Sequence, residues 1–178
     1  NSSVSGSIEG VENVGGVIGY QADQCEIIDC HSTASVLGKG EDNMYIGGLV
    51  GGNIDGDISN SYSKGQVIAE SPSNVGGLVG TNKGKIEDSY STAEVINKED
   101  TGLFGGLLGY NDGSVIDSMS LESNDYEVIG NTSGTATGRV TEAPEADMQQ
   151  KGLYTDDNFE ASQQESNGGV FEHFEVVN

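Results

Sequence analysis

Two short sequence blocks recur together along this chain and limit the folds open to it. The first block reads VGGVIG at 14–19, IGGLVG at 46–51, VGGLVG at 75–80 and FGGLLG at 104–109. The second block follows at a nearly constant distance and reads IIDCHS at 27–32, ISNSYS at 58–63, IEDSYS at 86–91 and VIDSMS at 115–120. The glycine pairs begin 32, 29 and 29 residues apart, so the chain is a tandem repeat with a period near 29 residues.

The residue types of the repeat predict strands. Each block is five or six residues long, is rich in Val, Ile, Leu and Tyr, and is separated from the next by Gly or Asn-x-Gly. One such coil cannot bury its apolar side alone, whereas stacked coils can. We therefore predict an all-β fold, a parallel β-solenoid (β-helix) of about four coils over residues 13–124, with residues 1–12 as half of a preceding coil.

Stacking the coils places equivalent residues in columns. We expect two apolar columns to face the interior: Ile27, Ile58, Ile86 and Val115, together with Leu49, Leu78 and Leu107. Two further columns are Cys30, Ser61, Ser89 and Ser118, and His31, Tyr62, Tyr90 and Met119. If the Tyr and Ser columns lie on an exposed face, they are candidate contacts for a glycan.

Asn-x-Gly segments after the first block predict a corner of the coil. The asparagines are Asn53, Asn82 and Asn111, and the glycines that follow them are Gly56, Gly84 and Gly113. Asn and Gly tolerate positive φ, which a corner requires. At the ~4.8 Å spacing of paired strands, the asparagines can form an amide ladder. The glycine pair inside a strand predicts a close approach of neighbouring backbone.

The G-G-L-V-G core, followed by N-x-G and then I-x-x-S-Y-S, resembles the GLUG motif. GLUG repeats occur in large bacterial and archaeal cell-surface proteins, including adhesins and the non-catalytic parts of immunoglobulin A peptidases. The resemblance covers residues 13–124 and is weaker in the first repeat, where Cys25 stands in place of the corner glycine. It implies an extracellular, surface-exposed repeat domain with no chemistry of its own.

The repeat pattern ends near residue 124, so we divide the chain into repeats at 1–124 and an irregular last coil with a C-terminal cap at 125–178. Residues 135–159 are similar to a segment that often closes GLUG arrays. One short helix is predicted at 144–151, with Pro144 in the first turn and Gly152 ending it, and a strand at 170–177. A cap would protect the open sheet edges; docking onto the next domain of a longer chain is the alternative.

The charge of the chain excludes several partners. The 178 residues include 29 Asp and Glu against 7 Lys and Arg, which gives a formal net charge of −22. Nucleic acid and anionic membrane surfaces are therefore not expected to bind. No apolar run approaches the ~20 residues of a membrane span, so direct membrane insertion is not expected. The acidity fits a solvated surface, calcium binding or a high-salt habitat.

Cys25 and Cys30 lie in one coil, where they replace a corner glycine and a column serine. Paired replacement in an exported protein favours a disulfide between them, and the short loop would make its stabilisation modest. Two separate thiols are the alternative. A zinc site would need two more suitably spaced ligands in addition to the cysteines, and only His31 is near.

Asn53-Ile-Asp55-Gly-Asp57 alternates oxygen ligands, which makes Asp55 and Asp57 candidates for calcium. The segment departs from the calcium-loop pattern, so an acidic turn is the alternative and no other cofactor is predicted. Asn1 and Asn131 each begin an Asn-x-Ser/Thr sequon and are glycosylation candidates, with Asn131 in a predicted loop. The first residue is Asn and no signal peptide is evident, so we expect a mature or excised piece of a longer protein.

We expect a non-catalytic, extracellular, structural or adhesive repeat module of a cell-surface protein or filament. Its expected partners are other surface-protein domains or copies of itself, with glycans as further candidates. The alternative is a polysaccharide-binding or polysaccharide-processing β-helix protein, because parallel β-helix enzymes attack acidic polysaccharides. Their chemistry uses carboxylates or calcium with an Arg or Lys near the sugar, and the sole arginine here, Arg139, lies outside the repeats.

Overall fold

The computed structural model describes residues 1–22, 24–41, 44–71, 73–99, 101–121 and 125–144, which form 24 β-strands and no helix. The first half coil contains β1 (Ser2–Val4) and β2 (Ser7–Gly10). The first full coil contains β3 (Val14–Gly15), β4 (Ile18–Gln21), β5 (Glu26–Ile28), β6 (Cys30–Ser32) and β7 (Ser35–Gly38). The second contains β8 (Met44–Gly47), β9 (Val50–Asn53), β10 (Asp57–Ser59), β11 (Tyr62–Ser63) and β12 (Gln66–Ala69).

The third coil contains β13 (Ser73–Gly76), β14 (Val79–Asn82), β15 (Lys85–Glu87), β16 (Tyr90–Ser91) and β17 (Glu94–Asn97). The fourth contains β18 (Gly102–Gly105), β19 (Leu108–Asn111), β20 (Ser114–Ile116) and β21 (Met119–Leu121). A fifth, partial coil contains β22 (Ile129–Thr132), β23 (Thr135–Thr137) and β24 (Thr141–Ala143). A membrane-spanning helix is absent from this described part of the chain.

Each full coil passes through five parallel sheets. In chain order they are sheet 1 (β3, β8, β13, β18), sheet 2 (β4, β9, β14, β19, β22), sheet 3 (β5, β10, β15, β20, β23), sheet 4 (β1, β6, β11, β16, β21, β24) and sheet 5 (β2, β7, β12, β17). The four glycine pairs are in vertical register, with Gly47 opposite both Gly15 and Gly76, and Gly76 opposite Gly105. The prediction of a parallel β-solenoid is confirmed, and β1 and β2 form the expected preceding half coil.

Apolar columns fill the interior as predicted. Ile58 lies opposite Ile27 and Ile86, and Ile86 lies opposite Val115. None of these four side chains is more than 4% exposed, and Leu49, Leu78 and Leu107 are fully buried. The core falls into two clusters: one contains Val36, Ile46, Val67 and Val75, and the other contains Ile27, Leu49, Ile58 and Leu78.

The glycines of the first block explain this division. A Cβ on Gly47 would lie 2.8 Å from the Leu78 carbonyl oxygen, and one on Gly51 would lie 2.7 Å from the Tyr45 carbonyl oxygen. The faces of sheets 1 and 2 that point away from the two core clusters, their outer faces, therefore pack against each other with their backbones in contact. This confirms the predicted close approach. At the bend between them, a Cβ on Gly48 would lie 2.8 Å from the Ser63 Cβ of sheet 4, so the bend reaches across the interior.

The prediction of positive φ at the Asn-x-Gly corner is wrong. Within the described residues, the glycines with positive φ are at other positions, and Gly56, Gly84 and Gly113 are not among them. These glycines are needed for space, since a Cβ on Gly84 would overlap the carbonyl oxygen of Gly56 in the coil below. The left-handed residues instead form a column between sheets 3 and 4: Asp29, Asn60, Asp88 and Asp117, with φ of 55°, 50°, 47° and 44°.

The fifth coil is more regular than its sequence indicates. β22, β23 and β24 pair in parallel with β19, β20 and β21, so the stack continues beyond the boundary predicted at 124. The predicted helix at 144–151, apart from Pro144, and the predicted strand at 170–177 lie outside the described residues.

Candidate functional surface

The corner asparagines form a continuous amide ladder inside the stack. Asn53 Nδ2 donates to Asn82 Oδ1 at 2.8 Å, and Asn82 Nδ2 donates to Asn111 Oδ1 at 2.8 Å. Asn111 Nδ2 then donates to Thr132 Oγ1 of the fifth coil at 3.2 Å. All three asparagines are fully buried, so the ladder satisfies amide groups that would otherwise be costly to bury. The predicted ladder is confirmed.

A second ladder runs through the predicted serine column, whose residues Ser61, Ser89 and Ser118 directly precede strands β11, β16 and β21 of sheet 4. Ser61 Oγ accepts from Cys30 N at 3.1 Å, Ser89 Oγ accepts from Ser61 N at 3.2 Å, and Ser118 Oγ accepts from Ser89 N at 3.3 Å. Ser61, Ser89 and Ser118 are fully buried. These hydroxyls therefore bind neighbouring coils and are not available to a ligand.

The aromatic column of sheet 4 is stacked and largely buried. The ring centroids of His31 and Tyr62 are 4.7 Å apart, and those of Tyr62 and Tyr90 are 5.0 Å apart, with nearly parallel planes. Tyr62 is 1% exposed and Tyr90 is 0% exposed. The expectation that the Tyr and Ser columns offer a glycan an exposed face is therefore wrong for these two tyrosines.

The predicted disulfide between Cys25 and Cys30 is not formed. Cys30 is buried, and its Sγ lies 3.2 Å from the Ile28 carbonyl oxygen, to which the thiol donates. Cys25 is exposed at the corner before β5. Spacing in the sequence brings the two residues into one coil, but the side chains occupy different environments, one in the core and one at the surface. The structure corrects the disulfide prediction to two thiols.

The calcium candidates lie beside an open, acidic depression. Gln24, Glu26, Asp55 and Asp57 line a space of about 340 Å³ on the outer side of sheet 3. Within the described ranges, no group of three His, Cys, Asp or Glu side chains is arranged to hold a metal ion. The Lys85 ammonium lies on the same face, where a hydrogen bond to Glu87 and the charge of Asp57 raise the pKa of Lys85.

The sequon asparagines are both exposed. Asn131 lies in strand β22 rather than in the predicted loop, opposite Tyr110 of β19. Its neighbour Thr132 accepts the last bond of the asparagine ladder, so the sequon is part of the stack. Asn1 precedes β1 at the start of the chain.

Paired charges cross the coils along the edge of sheet 5. Lys39 Nζ lies 2.9 Å from Glu9 Oε2, and Lys98 Nζ lies 2.6 Å from Glu70 Oε1. The hydrogen bond from Lys98 lowers the pKa of Glu70, and the hydrogen bond to Glu9 raises the pKa of Lys39. In these two pairs, each lysine neutralises one glutamate locally, although the whole chain is strongly acidic.

Sequence reasoning missed a pair of tyrosines, Tyr20 and Tyr45, that lies where the outer faces of sheets 1 and 2 meet. Tyr20 projects from β4 and Tyr45 from β8, and ring carbons of both would lie within 3.2 Å of a Cβ placed on Gly52. Tyr20 is 51% exposed and Tyr45 is half-buried. The two rings pack over Gly52, and we call Tyr20, Tyr45 and Gly52 the tyrosine patch. Its only signal in the sequence is a glycine at the column position where other coils carry larger residues.

Comparison with known proteins supports the repeat assignment. The family model described as "The GLUG motif" matches residues 10–37, 42–68 and 71–96. The fourth coil lies beyond these matches and joins the repeat through its strand register.

A "Putative Gly-rich membrane protein" of Evansella cellulosilytica is 56% identical over 34 residues. That match covers 19% of this chain and 4% of the relative, so the chain corresponds to a small part of that protein. No solved structure matches the chain. Residues 10–96 thus contain three GLUG motifs, and this part of the chain is similar to a GLUG-motif repeat family.

Proposed function

We propose that this chain is a non-catalytic, extracellular, structural and adhesive repeat module of a cell-surface protein or filament. The observation that carries the proposal is the bonding of each coil to the next by buried polar side chains. Asn53, Asn82 and Asn111 donate along one corner, while Ser61, Ser89 and Ser118 accept along another.

Such ladders give the module mechanical continuity. Every coil contacts only its neighbours, so the stability of a solenoid is roughly a sum of coil and interface contributions. Buried hydrogen-bonded ladders strengthen each interface and oppose sliding between coils, as stacked amides do in other cross-coil assemblies. The polar groups inside the stack are used for holding coils together, which suits a spacer or stalk better than an active site.

The similarity of the repeats to parts of surface proteins and the acidity of the chain support an extracellular location. GLUG repeats resemble parts of large surface proteins, and the relative from Evansella cellulosilytica carries a membrane-protein name. A net charge of −22 keeps an elongated module soluble and repels other copies at low ionic strength. The partners we propose are copies of this chain or neighbouring domains of a surface protein, assembled when salt or calcium reduces that repulsion.

Self-association under a titration of salt tests this proposal. Light scattering and sedimentation of the purified chain are measured in increasing NaCl, and separately in CaCl₂ at constant ionic strength. We expect association to increase with NaCl and to increase further with calcium. The double variant Asp55→Asn/Asp57→Asn is the matched control, and it should lose part of the calcium effect while keeping the NaCl effect.

Enzymatic activity would contradict the proposal. The purified chain is incubated with polygalacturonate and the release of reducing ends is followed. We expect no release. Turnover that is abolished by a single Asp substitution would replace the structural module with a polysaccharide-processing β-helix enzyme.

A further inference from the structure

We infer that the outer face of sheet 5 binds a second copy of this chain, in a two-fold contact that sets the two solenoids antiparallel. The inference rests on the proposed function, because it gives a surface and a geometry to the self-association proposed above. It begins from the side chains that alternate along β7, β12 and β17. The inward residues of these strands are at most 7% exposed: Val36, Val67 and Val95. The residues that follow them point outward: Leu37, Ile68 and Ile96.

The three outward residues form one column, which we call the aliphatic stripe (Leu37, Ile68 and Ile96). Ile68 lies opposite both Leu37 and Ile96 in the parallel register. All three side chains are partly exposed, and neither cluster of the described core contains them. A strand with one face in water alternates apolar and polar residues, whereas consecutive apolar residues are typical of a strand that is covered on both faces. The stripe is therefore a surface suited to being covered.

A row of charges beside the stripe changes sign from coil to coil. In order along the solenoid axis it contains Glu9, Lys39, Glu70 and Lys98, and we call it the charge row. Lys39 Nζ lies 2.9 Å from Glu9 Oε2, Lys98 Nζ lies 2.6 Å from Glu70 Oε1, and the charge of Glu70 also raises the pKa of Lys39. Between 36% and 61% of each side chain is exposed, so all four can still meet a partner.

The alternating signs fit a second copy in one orientation. A two-fold axis parallel to the strands lays sheet 5 of one copy over sheet 5 of the other, with the order of the coils reversed. When the axis passes between β7 and β12, Lys39 faces Glu70 of the second copy, and Glu9 faces Lys98. Each cation then meets a carboxylate. An axis through β12 would instead bring Glu70 against Glu70.

The rest of the face fits the same axis. Leu37 would pack on Ile68 of the second copy, which buries the middle of the stripe. On the other side of the stripe, Glu94 of β17 would face Ser7 of β2 and no carboxylate. The charge row is neutral, whereas the whole chain carries a formal charge of −22. Sheet 5 therefore offers a second copy an approach with little local repulsion.

The size of the contact predicts weak binding. Four strands of four residues, ~4.8 Å apart with ~3.3 Å per residue, cover ~250 Å² on each copy. A standard stable interface buries ~800 Å² on each partner. We therefore expect reversible association that needs a high protein concentration.

Sedimentation equilibrium of matched variants tests the stripe. The full chain is measured at high protein concentration, in NaCl at which the wild type associates. Ile68→Lys should lower the association constant about tenfold, because the contact would have to bury an ammonium group. Ile28→Lys is the control, since it makes the same change on sheet 3, where Ile28 is 43% exposed, and it should not weaken association. Unchanged association in Ile68→Lys, or an equal loss in Ile28→Lys, would overturn the inference.

Charge reversal tests the geometry. Glu70→Lys makes the chain less acidic, so net charge alone would strengthen association. In the two-fold contact it places lysines opposite each other, so it should weaken association, and Lys39→Glu should do the same. The double variant Lys39→Glu/Glu70→Lys restores opposite charges and the net charge of −22, and should associate as the wild type does. Stronger association in Glu70→Lys, or no recovery in the double variant, would contradict the contact.

The outcomes separate this inference from the proposed function. Salt-dependent association that none of the sheet 5 variants changes would remove the contact and keep the assembly. Association that Ile68→Lys weakens but that NaCl does not increase would keep the contact and remove the salt-driven assembly. A wild type that stays monomeric at every NaCl concentration would remove both.

Discussion

The third coil and the first coil have the same strand register but different polar interiors. In the third coil, Asn82 accepts from Asn53 and donates to Asn111, so its amide is bonded on both sides. In the first coil, Gln21 occupies the same column, but its Nε2 donates to the Cys25 carbonyl oxygen at 2.6 Å. Gln21 Oε1 is buried without a hydrogen-bond partner.

The corner of the first coil changes with this residue. The Gln21 amide occupies the space beside Gly56, where a Cβ on that glycine would overlap Nε2. Gln24 takes a positive φ of 56°, which the equivalent corner residues of the later coils do not. The apolar column nevertheless stays in register, with Ile27 opposite Ile58. Apolar packing therefore sets the register of the stack, and the asparagine ladder adds stability to coils that are already aligned.

The largest effect is expected from a charge in the apolar column. Ile86 is fully buried between Ile58 and Val115, so Ile86→Asp would bury an unpaired carboxylate and should cost about 4 kcal/mol or more. Urea denaturation measures the loss. Ile28→Asp is the control, because Ile28 is 43% exposed and its replacement should cost about 0.5 kcal/mol or less. Equal losses in both variants would place the Ile86 side chain outside the core.

A smaller loss is expected when the bend between sheets 1 and 2 is filled. A Cβ on Gly77 would overlap the Gly106 carbonyl oxygen and the Ser91 hydroxyl. Gly77→Val should therefore destabilise the chain by about 3 kcal/mol, because backbone must move in two coils. Gly6→Ala is the control, since nothing lies within 4 Å of its Cβ position and only the cost of its backbone conformation, about 1 kcal/mol, remains. A Gly77→Val variant as stable as Gly6→Ala would show that the bend does not reach sheet 4.

The asparagine ladder gives the most direct contrast between the two coils. Asn82→Ala removes one amide from the middle of the ladder and leaves buried partners on both sides, which should cost about 2 kcal/mol. Gln21→Ala should cost less, because Gln21 makes no bond to Asn53 and leaves one of its own atoms unsatisfied. Thermal and urea unfolding of both variants measure this difference. A greater loss in Gln21→Ala would mean that the ladder does not stabilise the stack.

The smallest effect is expected from the exposed ion pair on sheet 5. The hydrogen bond from Lys98 lowers the pKa of Glu70 below its ordinary value of 4.5, so the stabilisation is present above pH 4.5 and is lost as the pH falls through the lowered pKa. Glu70→Gln should therefore melt slightly below the wild type at pH 7, and the difference should disappear in strong acid. It should also shrink in high salt, because both groups are exposed. A difference in melting temperature that grows as the pH falls would contradict a stabilising pair between Lys98 and Glu70.

Much of the fold is contained in the repeat itself. The period and the two coupled blocks predict the columns, and the columns predict the register that Ile58 and Gly76 adopt. The glycine pair predicts close backbone, but not which backbone, because the partner of Gly48 is Ser63 on a sheet that its own block does not contain. Long-range partners of this kind are fixed by the path of the whole coil.

The left-handed corner could have been found from the sequence. Asp29, Asn60, Asp88 and Asp117 all stand one residue before the Cys or Ser column, and Asn and Asp are the non-glycine residues that tolerate positive φ best. The environment of the two cysteines could not have been found from the sequence. Spacing shows that Cys25 and Cys30 share a coil, but whether a side chain enters the core depends on strand β5 and the left-handed Asp29, which lie between them.

Methyl NOE spectroscopy tests the central claim most directly. Paired parallel strands lie ~4.8 Å apart, so methyl groups in one interior column of adjacent coils are close enough to give cross-peaks. In a chain with labelled Ile and Val methyls, Ile58 should show cross-peaks to both Ile27 and Ile86, and Ile86 to Val115. Absence of these contacts, together with antiparallel backbone contacts across the corner from Asn53 to Gly56, would contradict the stacked solenoid and every ladder built on it.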